Sequence, residues 1–238
     1  YKESYSDFFY QYYLDCLVNL KSFKDAKKLV KLQMNINPNN LSYKVDYGMV
    51  YKLEGDPKKA DKQFLETIDG LQPISSSVIE LANAFQNNGE YNYALQTYTK
   101  GDKLLNGTYP FNFEKARLFG QLKRYQEMVN EYLSVLLLSE NYLQSVQNEL
   151  ARNFAFEQGS EQNSLLKQEL IKLIQKHPGK PVFSELLIWV YMQEGNYSAA
   201  LLQTKALDKR LNESGERLIN LANIAMSNQQ LDVAIESY

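Results

Sequence analysis

Apolar side chains recur along this chain at i, i+3, i+4 and i+7 in runs of helical length, and short polar breaks carrying Gly, Pro, Asn or Asp separate the runs. The pattern predicts α-helices throughout and no strands. A helix with one apolar stripe must bury it. Two such helices joined by a short turn bury both stripes by pairing, so the chain is predicted to be a succession of helical hairpins.

The hairpins repeat. Ala26, Ala60 and Ala94 stand 34 residues apart (60−26 and 94−60), Met128 takes the next beat, and Ala200 to Ala234 restates the interval (234−200). A fixed period of this length predicts a helical solenoid, in which each unit touches its neighbours and one long concave surface is left for a partner. The turn signals agree. Gly55, Gly89 and Gly195 are placed to take the left-handed conformation between helices, and Pro38, Pro73 and Pro178 to end second helices. Asn106-Gly107-Thr108-Tyr109-Pro110 reads as a stop followed by a restart with proline in the first turn, and Asn37-Pro38-Asn39-Asn40 as the same device.

In the second unit Tyr47, Gly48, Tyr51, Gly55, Ala60 and Phe64 fall where tetratricopeptide repeat (TPR) proteins keep their signature residues, and the chain resembles that family. The resemblance implies an all-α fold, a right-handed α-α superhelix of about seven helical hairpins, the last incomplete. With the repeating alanine at position 20, the units run approximately 7–40, 41–74, 75–108, 109–142, 143–180, 181–214 and 215–238, one array over 1–238.

Positions 8 and 20 are where paired helices cross. Gly48 with Ala60, Ala82 with Ala94, and Ala222 with Ala234 are small on both sides; Leu14 with Ala26, Ala116 with Met128, and Ile188 with Ala200 set one large side chain against one small. Aromatic residues at position 17, Phe23, Tyr91, Tyr125 and Tyr197, are expected to cover the turns. The fifth unit departs from the rule. Phe154 and Leu166 are both large, and the step from Met128 to Leu166 is 38 (166−128). Four extra residues make about one helical turn, so a lengthened first helix is expected, from about Tyr142 to Gln158, either as drift in the array or as a hinge.

In TPR proteins the first helix of each unit lines the concave face, with positions 2, 5, 6, 9 and 12 turned into it. The resemblance thus implies a groove carrying Phe8, Gln11, Tyr12, Asp15 and Val18, then Ser42, Val45, Asp46, Met49 and Lys52. Ser76, Ile79, Glu80, Asn83 and Gln86 follow, then Pro110, Phe113, Glu114, Arg117 and Gly120, with Arg152 from the fifth unit. Val182, Glu185, Leu186, Trp189 and Met192 complete it. Carboxylates mixed with apolar groups suit a peptide or protein segment bearing a basic residue and apolar anchors. The other readings are a solvated face, or a groove filled by further helices of the array. Trp189 is either an anchor for a partner or a packing residue. The family's clamp for C-terminal carboxylates would place donors at Gln11, Asp15, Asp46, Ser76 and Glu80; acids stand at three of these, so such an end is expected to be repelled.

Composition narrows the function. The chain has 238 residues and a net charge of −2, without the basic excess that phosphate binding requires, so nucleic acid is not expected. A pentatricopeptide-type RNA binder would show a 35-residue period and a basic groove, and both are missing. Lysines at 24–31 and 58–62 fall on second helices and read as solvated outer surface. Apolar stretches such as Leu186 to Met192 fall far short of the ~20 residues needed to span a membrane, so no direct insertion is expected.

One histidine, His177, beside Pro178 at a helix end, and one cysteine, Cys16, expected to be a packed thiol, leave no catalytic triad, metal cluster or disulfide framework to draw. No phosphate-binding glycine run occurs, and neither enzymatic activity nor a cofactor is expected. Asn-x-Ser/Thr triplets at Asn40, Asn106, Asn196 and Asn212 carry no weight in so Asn-rich a chain. The chain starts at Tyr1 without a methionine and stops at Tyr238 within a helical pattern, which is expected of a segment of a longer protein. Two roles follow: an interaction scaffold, or the regulatory or targeting arm of a longer enzyme or envelope-assembly protein. Self-association through an unfinished apolar layer at the C-terminal end is a further expectation.

Overall fold

Helix pairs form where the 34-residue period places them. The computed structural model describes residues 7–157 and 159–238; Gln158 and the side chains of Asp7 and Phe8 lie outside the described residues. The first three pairs are α1 (Asp7–Asn19) with α2 (Phe23–Ile36), α3 (Ser42–Glu54) with α4 (Pro57–Asp69), and α5 (Ser75–Asn87) with α6 (Tyr91–Leu105). Then come α7 (Asn112–Gln121) with α8 (Tyr125–Leu138), α9 (Leu143–Asn153) with α10 (Glu161–Lys176), α11 (Val182–Gln193) with α12 (Tyr197–Leu211), and α13 (Glu216–Ser227) with α14 (Leu231–Ser237). Among the described residues there are seven helical hairpins and no strand, an all-α helical-repeat fold. Two compact units divide it, Tyr1–Glu114 and Lys115–Tyr238.

Local chemistry sets the helix ends. Gly55 takes φ +95° at the end of α3, where its N–H reaches the carbonyls of Tyr51 and Lys52; Asp56 then accepts the Lys59 N–H at 3.1 Å, with Pro57 opening α4. Gly89 and Gly195 are likewise left-handed, as the sequence predicts, and Asn106 and Asn212 serve the same purpose after α6 and α12. Pro110 departs from expectation, because α7 begins two residues after it, at Asn112.

The crossings are tight. Ala26, Ala60, Ala94 and Ala200 are at most 1% exposed. At Gly48 the close neighbour is the Phe64 ring rather than Ala60: a Cβ there would lie 2.6 Å from Phe64 Cδ1 and nearer still to Cε1. Gly101, which no crossing rule marked, is equally confined, since a Cβ would stand 2.6 Å from Val78 Cγ1 and 2.7 Å from Phe111 Cε2. Ion pairs tie hairpin to hairpin at equivalent positions. Lys27 of α2 meets Glu54 of α3 at 2.6 Å, and Lys167 of α10 meets Glu194, which caps the end of α11, at 2.7 Å.

The fifth hairpin corrects the sequence reading. Its first helix is not lengthened: a 3₁₀ turn at Glu140–Tyr142 leads into α9, which ends at Asn153. The chain is extended at Phe154 (φ −116°, ψ 137°), and Phe156 and Gly159 take φ +50° and +80°. Residues two apart do not share a helix face, so a continued helix would expose one of these rings. Leaving the helix lets both Phe154 and Phe156 be buried, with their centroids 5.9 Å apart. Asn163 closes the segment by donating to the Glu157 carbonyl at 3.0 Å, while Ser160 caps α10.

Two other expectations fail for reasons of packing. Cys16 is an exposed thiol, because the buried stripe of α1 runs through Tyr10, Leu14 and Leu17 and passes it by. Val45, Val182 and Leu186, expected in the groove, are at most 1% exposed, since α3 and α11 are flanked by hairpins on both sides and bury more than one stripe.

Gly48→Ala is expected to destabilise the protein by about 1–2 kcal/mol, although alanine is the better helix former, because the added methyl group must displace the buried Phe64 ring. Urea unfolding of the two proteins measures this; equal midpoints would show that the ring yields freely.

Candidate functional site

In the first compact unit the first helices α1, α3 and α5 surround an open recess of about 400 Å³. Its floor is charged. Asp46, 9% exposed on α3, accepts the hydroxyl of the buried Tyr10 of α1 through Oδ2 at 2.8 Å. Burial raises the Asp46 carboxyl from its ordinary 3.8 to about 6; the Tyr10 hydrogen bond opposes the rise and the nearby Asp15 charge adds to it. Tyr43 stands edge-on to Tyr10 with centroids 5.0 Å apart, and Asn87 and Asn88 complete the wall from the end of α5.

Other expected groove residues of this unit lie on the rim or away from it. Asp15 accepts the Gln11 amide at 3.2 Å, and Tyr12 is 60% exposed. Met49 is half-buried; Glu80 and Asn83 are exposed on α5, with Asn83 accepting the Gln86 amide at 3.3 Å. Phe113 and Glu114 are half-buried, and Glu114 Oε1 accepts the Tyr109 hydroxyl at 2.7 Å while Oε2 is enclosed without a partner.

In the second compact unit the first helices carry ion pairs. Arg117 of α7 holds Glu149 of α9 through two nitrogens, at 2.9 and 3.2 Å, and Arg152 adds a contact at 3.3 Å. The Arg117 guanidinium accordingly lowers the Glu149 carboxyl. Glu185 of α11 pairs with Arg217 of α13 at 2.6 Å, and Arg217 also holds Glu213 at 2.7 Å. Beside the Glu185–Arg217 pair opens an apolar pocket of about 250 Å³, lined by Ile188 and Met192 of α11 and by Leu221 and Ile224 of α13. Trp189 is not part of it. Its half-buried ring meets the edge of Phe156 at 5.1 Å, so it packs on the segment between α9 and α10.

Of the sequence-expected residues, the recess gathers Asp46 with Gln11 and Ser42, and the pocket gathers Glu185 with Met192. Sequence reasoning missed Tyr10, Tyr43, Asn87 and Asn88 around Asp46, and Arg217, Leu221 and Ile224 around Met192. Carrying the repeat positions into the seventh hairpin would have raised Asn220, which also lines the pocket, but not Arg217, which falls at position 3; nothing local marks Tyr10.

His177 ends α10, with its ring 6.2 Å from Phe183. Among the described residues no group of three or more His, Cys, Asp or Glu is placed to hold a metal ion, and no helix is long and apolar enough to cross a membrane.

No family model and no curated protein matches the chain. Among solved structures it is similar to a tetratricopeptide repeat protein from Parabacteroides merdae, at 15% identity and a TM-score of 0.34 over 96% of this chain and 89% of that one. It is similar also to pilF of Pseudomonas aeruginosa, at 13% identity and a TM-score of 0.28 over 96% and 86% of the two chains. A third is a chain in the structure of Naa15/Naa10 bound to HypK-THB, at 14% identity and a TM-score of 0.30 over 93% of this chain and 42% of that one. The resemblance to TPR proteins is one of repeat type, and TM-scores this low say nothing of what the chain binds.

A carboxyl held near pH 6 by burial retains its proton more tightly in the folded than in the unfolded chain. The stability it contributes is therefore full below pH 3.8 and lost as pH rises through about 6. The rise corresponds to about 3 kcal/mol. Asp46→Asn, whose carbonyl can still accept from Tyr10, is expected to raise stability at pH 7.5 by up to about that amount and to change it little at pH 4. Urea midpoints at the two pH values measure this, and an unaltered midpoint at pH 7.5 would count against an unfavourably buried carboxylate.

Proposed function

We propose that this chain is a protein-interaction scaffold whose first helices take a peptide or protein segment carrying a basic residue and apolar anchors. The observation that carries the reading is that both recesses described above are built mainly from first helices, with Thr204 of α12 the one second-helix residue among the described residues lining the apolar pocket. One is acid-floored, between α1, α3 and α5; the other is apolar, between α11 and α13. A side chain entering either is surrounded on several sides, which is the geometry in which single residues dominate binding energy. The surface serves equally whether the array acts by itself or as the regulatory or targeting arm of a longer protein.

Asp46, Met49, Glu185 and Met192 are the contacts on which this reading leans most, with Tyr12, Asp15, Glu80, Asn83, Phe113, Glu114 and Arg117 along the same set of helices. Trp189 is reassigned to support, because its ring is engaged by Phe156.

Selection of a random displayed peptide library against the protein tests the proposal, with enrichment expected for sequences combining Lys or Arg with Leu, Ile or Met. Met192→Asp is expected to weaken the selected peptides that use the apolar pocket at least tenfold and, because the half-buried Met192 also packs on the core, to lower stability by about 1–2 kcal/mol while the protein stays folded. Trp189→Ala is expected to leave peptide binding unchanged while lowering stability by about 1–3 kcal/mol, because no indole then packs against Phe156. Selection that yields no saturable binder, or binders indifferent to every first-helix variant, would overturn the reading.

A further inference from the structure

Several of the polar side chains around the α1/α3/α5 recess have a donor already engaged. The Tyr10 hydroxyl donates to Asp46 Oδ2 at 2.8 Å, and the Ser42 hydroxyl donates to Asn40 Oδ1 at 2.5 Å. A hydroxyl has a single proton, so both offer further partners only lone pairs. The Gln11 amide donates to Asp15 at 3.2 Å and the Asn88 amide to the Ala84 carbonyl at 2.9 Å, each leaving its side-chain carbonyl as acceptor. Among the described residues no Lys, Arg or His lines the recess. It is a concave site that offers acceptors around a largely buried carboxylate, with no cation among the described residues of its lining to match it.

We infer that this recess is a binding site for a lysine side chain, whose ammonium sits on Asp46 Oδ1. The inference rests on the interaction reading above and names the chemistry of one of its subsites. Lysine is favoured over arginine because Tyr10 already occupies Asp46 Oδ2. A guanidinium is recognised best by both oxygens of a carboxylate at once, whereas an ammonium is a compact charge with three donors that one carboxylate oxygen and two neutral acceptors can satisfy. The Tyr10–Tyr43 pair, edge to face at 5.0 Å and enclosed in the core, holds Asp46 from below through the Tyr10 hydroxyl rather than touching the ligand. A divalent cation is a poor occupant, since Asp46 is the one carboxylate among the described residues lining the recess and such ions require several hard oxygen ligands.

The energetics agree. Desolvation makes ionised Asp46 unfavourable in the empty recess, and an ammonium placed against it offsets that. The groups facing Asp46 are Tyr10 from α1, Tyr43 on its own helix, the neutral Asn87 and Asn88 from α5, and Asp15 acting from α1 through its charge. None of these supplies a positive charge, so affinity for the ammonium follows the ionisation of Asp46 itself.

The experiment is a titration of the protein with Nα-acetyl-lysine methylamide, followed by NMR at the side-chain amides of Asn87 and Asn88. The arginine, norleucine and Nε-acetyl-lysine analogues are the controls. The lysine probe is expected to saturate in the millimolar range at pH 7.5, arginine to bind at least fivefold more weakly, and the two neutral probes not to saturate. Affinity for lysine should fall about tenfold between pH 7.5 and pH 5, as a carboxyl titrating near 6 requires. Asp46→Asn should lose at least tenfold while keeping the amide spectrum of a folded protein. The assignment is overturned if lysine does not saturate by about 50 mM, if norleucine matches it, or if Asp46→Asn binds lysine as before. Should the lysine probe fail while library peptides still bind in a Met192-dependent manner, the recess is misassigned and the scaffold reading stands; should neither bind, both fall.

Discussion

The closeness with which paired helices approach governs everything else in this protein. Each of five hairpins brings a small residue of its second helix, Ala26, Ala60, Ala94, Ala200 or Ala234, against the first helix, and all of these are buried. The approach is close enough that Gly48 has no room for a methyl group beside Phe64. Once the hairpins are this thin, first helices of successive hairpins become neighbours. Side chains some 32 to 36 residues apart then meet, as Tyr10 meets Asp46 and Glu185 meets Arg217. The candidate site is a consequence of that adjacency rather than of any local motif.

This explains which parts were legible in the sequence. Period, hairpins, glycine turns and crossing residues depend on spacing within one hairpin, and spacing can be read directly. Asp46 could be placed on a first helix by the same reasoning. Its depth could not, because burial there depends on Tyr10 from the preceding hairpin and Asn87 and Asn88 from the following one. Val45 and Leu186 were misplaced for the same reason: position within a repeat states a direction, while burial depends on how many neighbours the helix has.

The fifth hairpin shows a different limit. Four added residues are consistent with another helical turn, and helix propensity alone does not exclude it. What decides is the pair Phe154 and Phe156, whose two-residue spacing cannot serve one helix face. Burying both rings outweighs the backbone hydrogen bonds of a further turn, with Asn163 and Ser160 taking over the exposed polar groups. Trp189 is drawn into that cluster, and a residue that reads as a surface anchor in sequence becomes part of the support for an irregular segment.

Charge along the first helices is unevenly satisfied, and the unevenness separates recognition from structure. Glu149 is held by Arg117 and Arg152, and Glu185 by Arg217, so these carboxylates have their counter-charges within the fold. A partner's cation reaching them would have to displace a guanidinium already bound. Asp46 is buried more deeply than Glu185, yet its hydrogen-bond partner is a neutral phenol and the charge that acts on it is the like charge of Asp15. A buried carboxylate in that condition opposes folding at neutral pH instead of assisting it. Hydrophobic packing around Tyr10, Leu14 and Tyr43 tolerates the penalty, and an uncompensated charge in a concave, solvent-reachable place is a feature that stability alone does not account for.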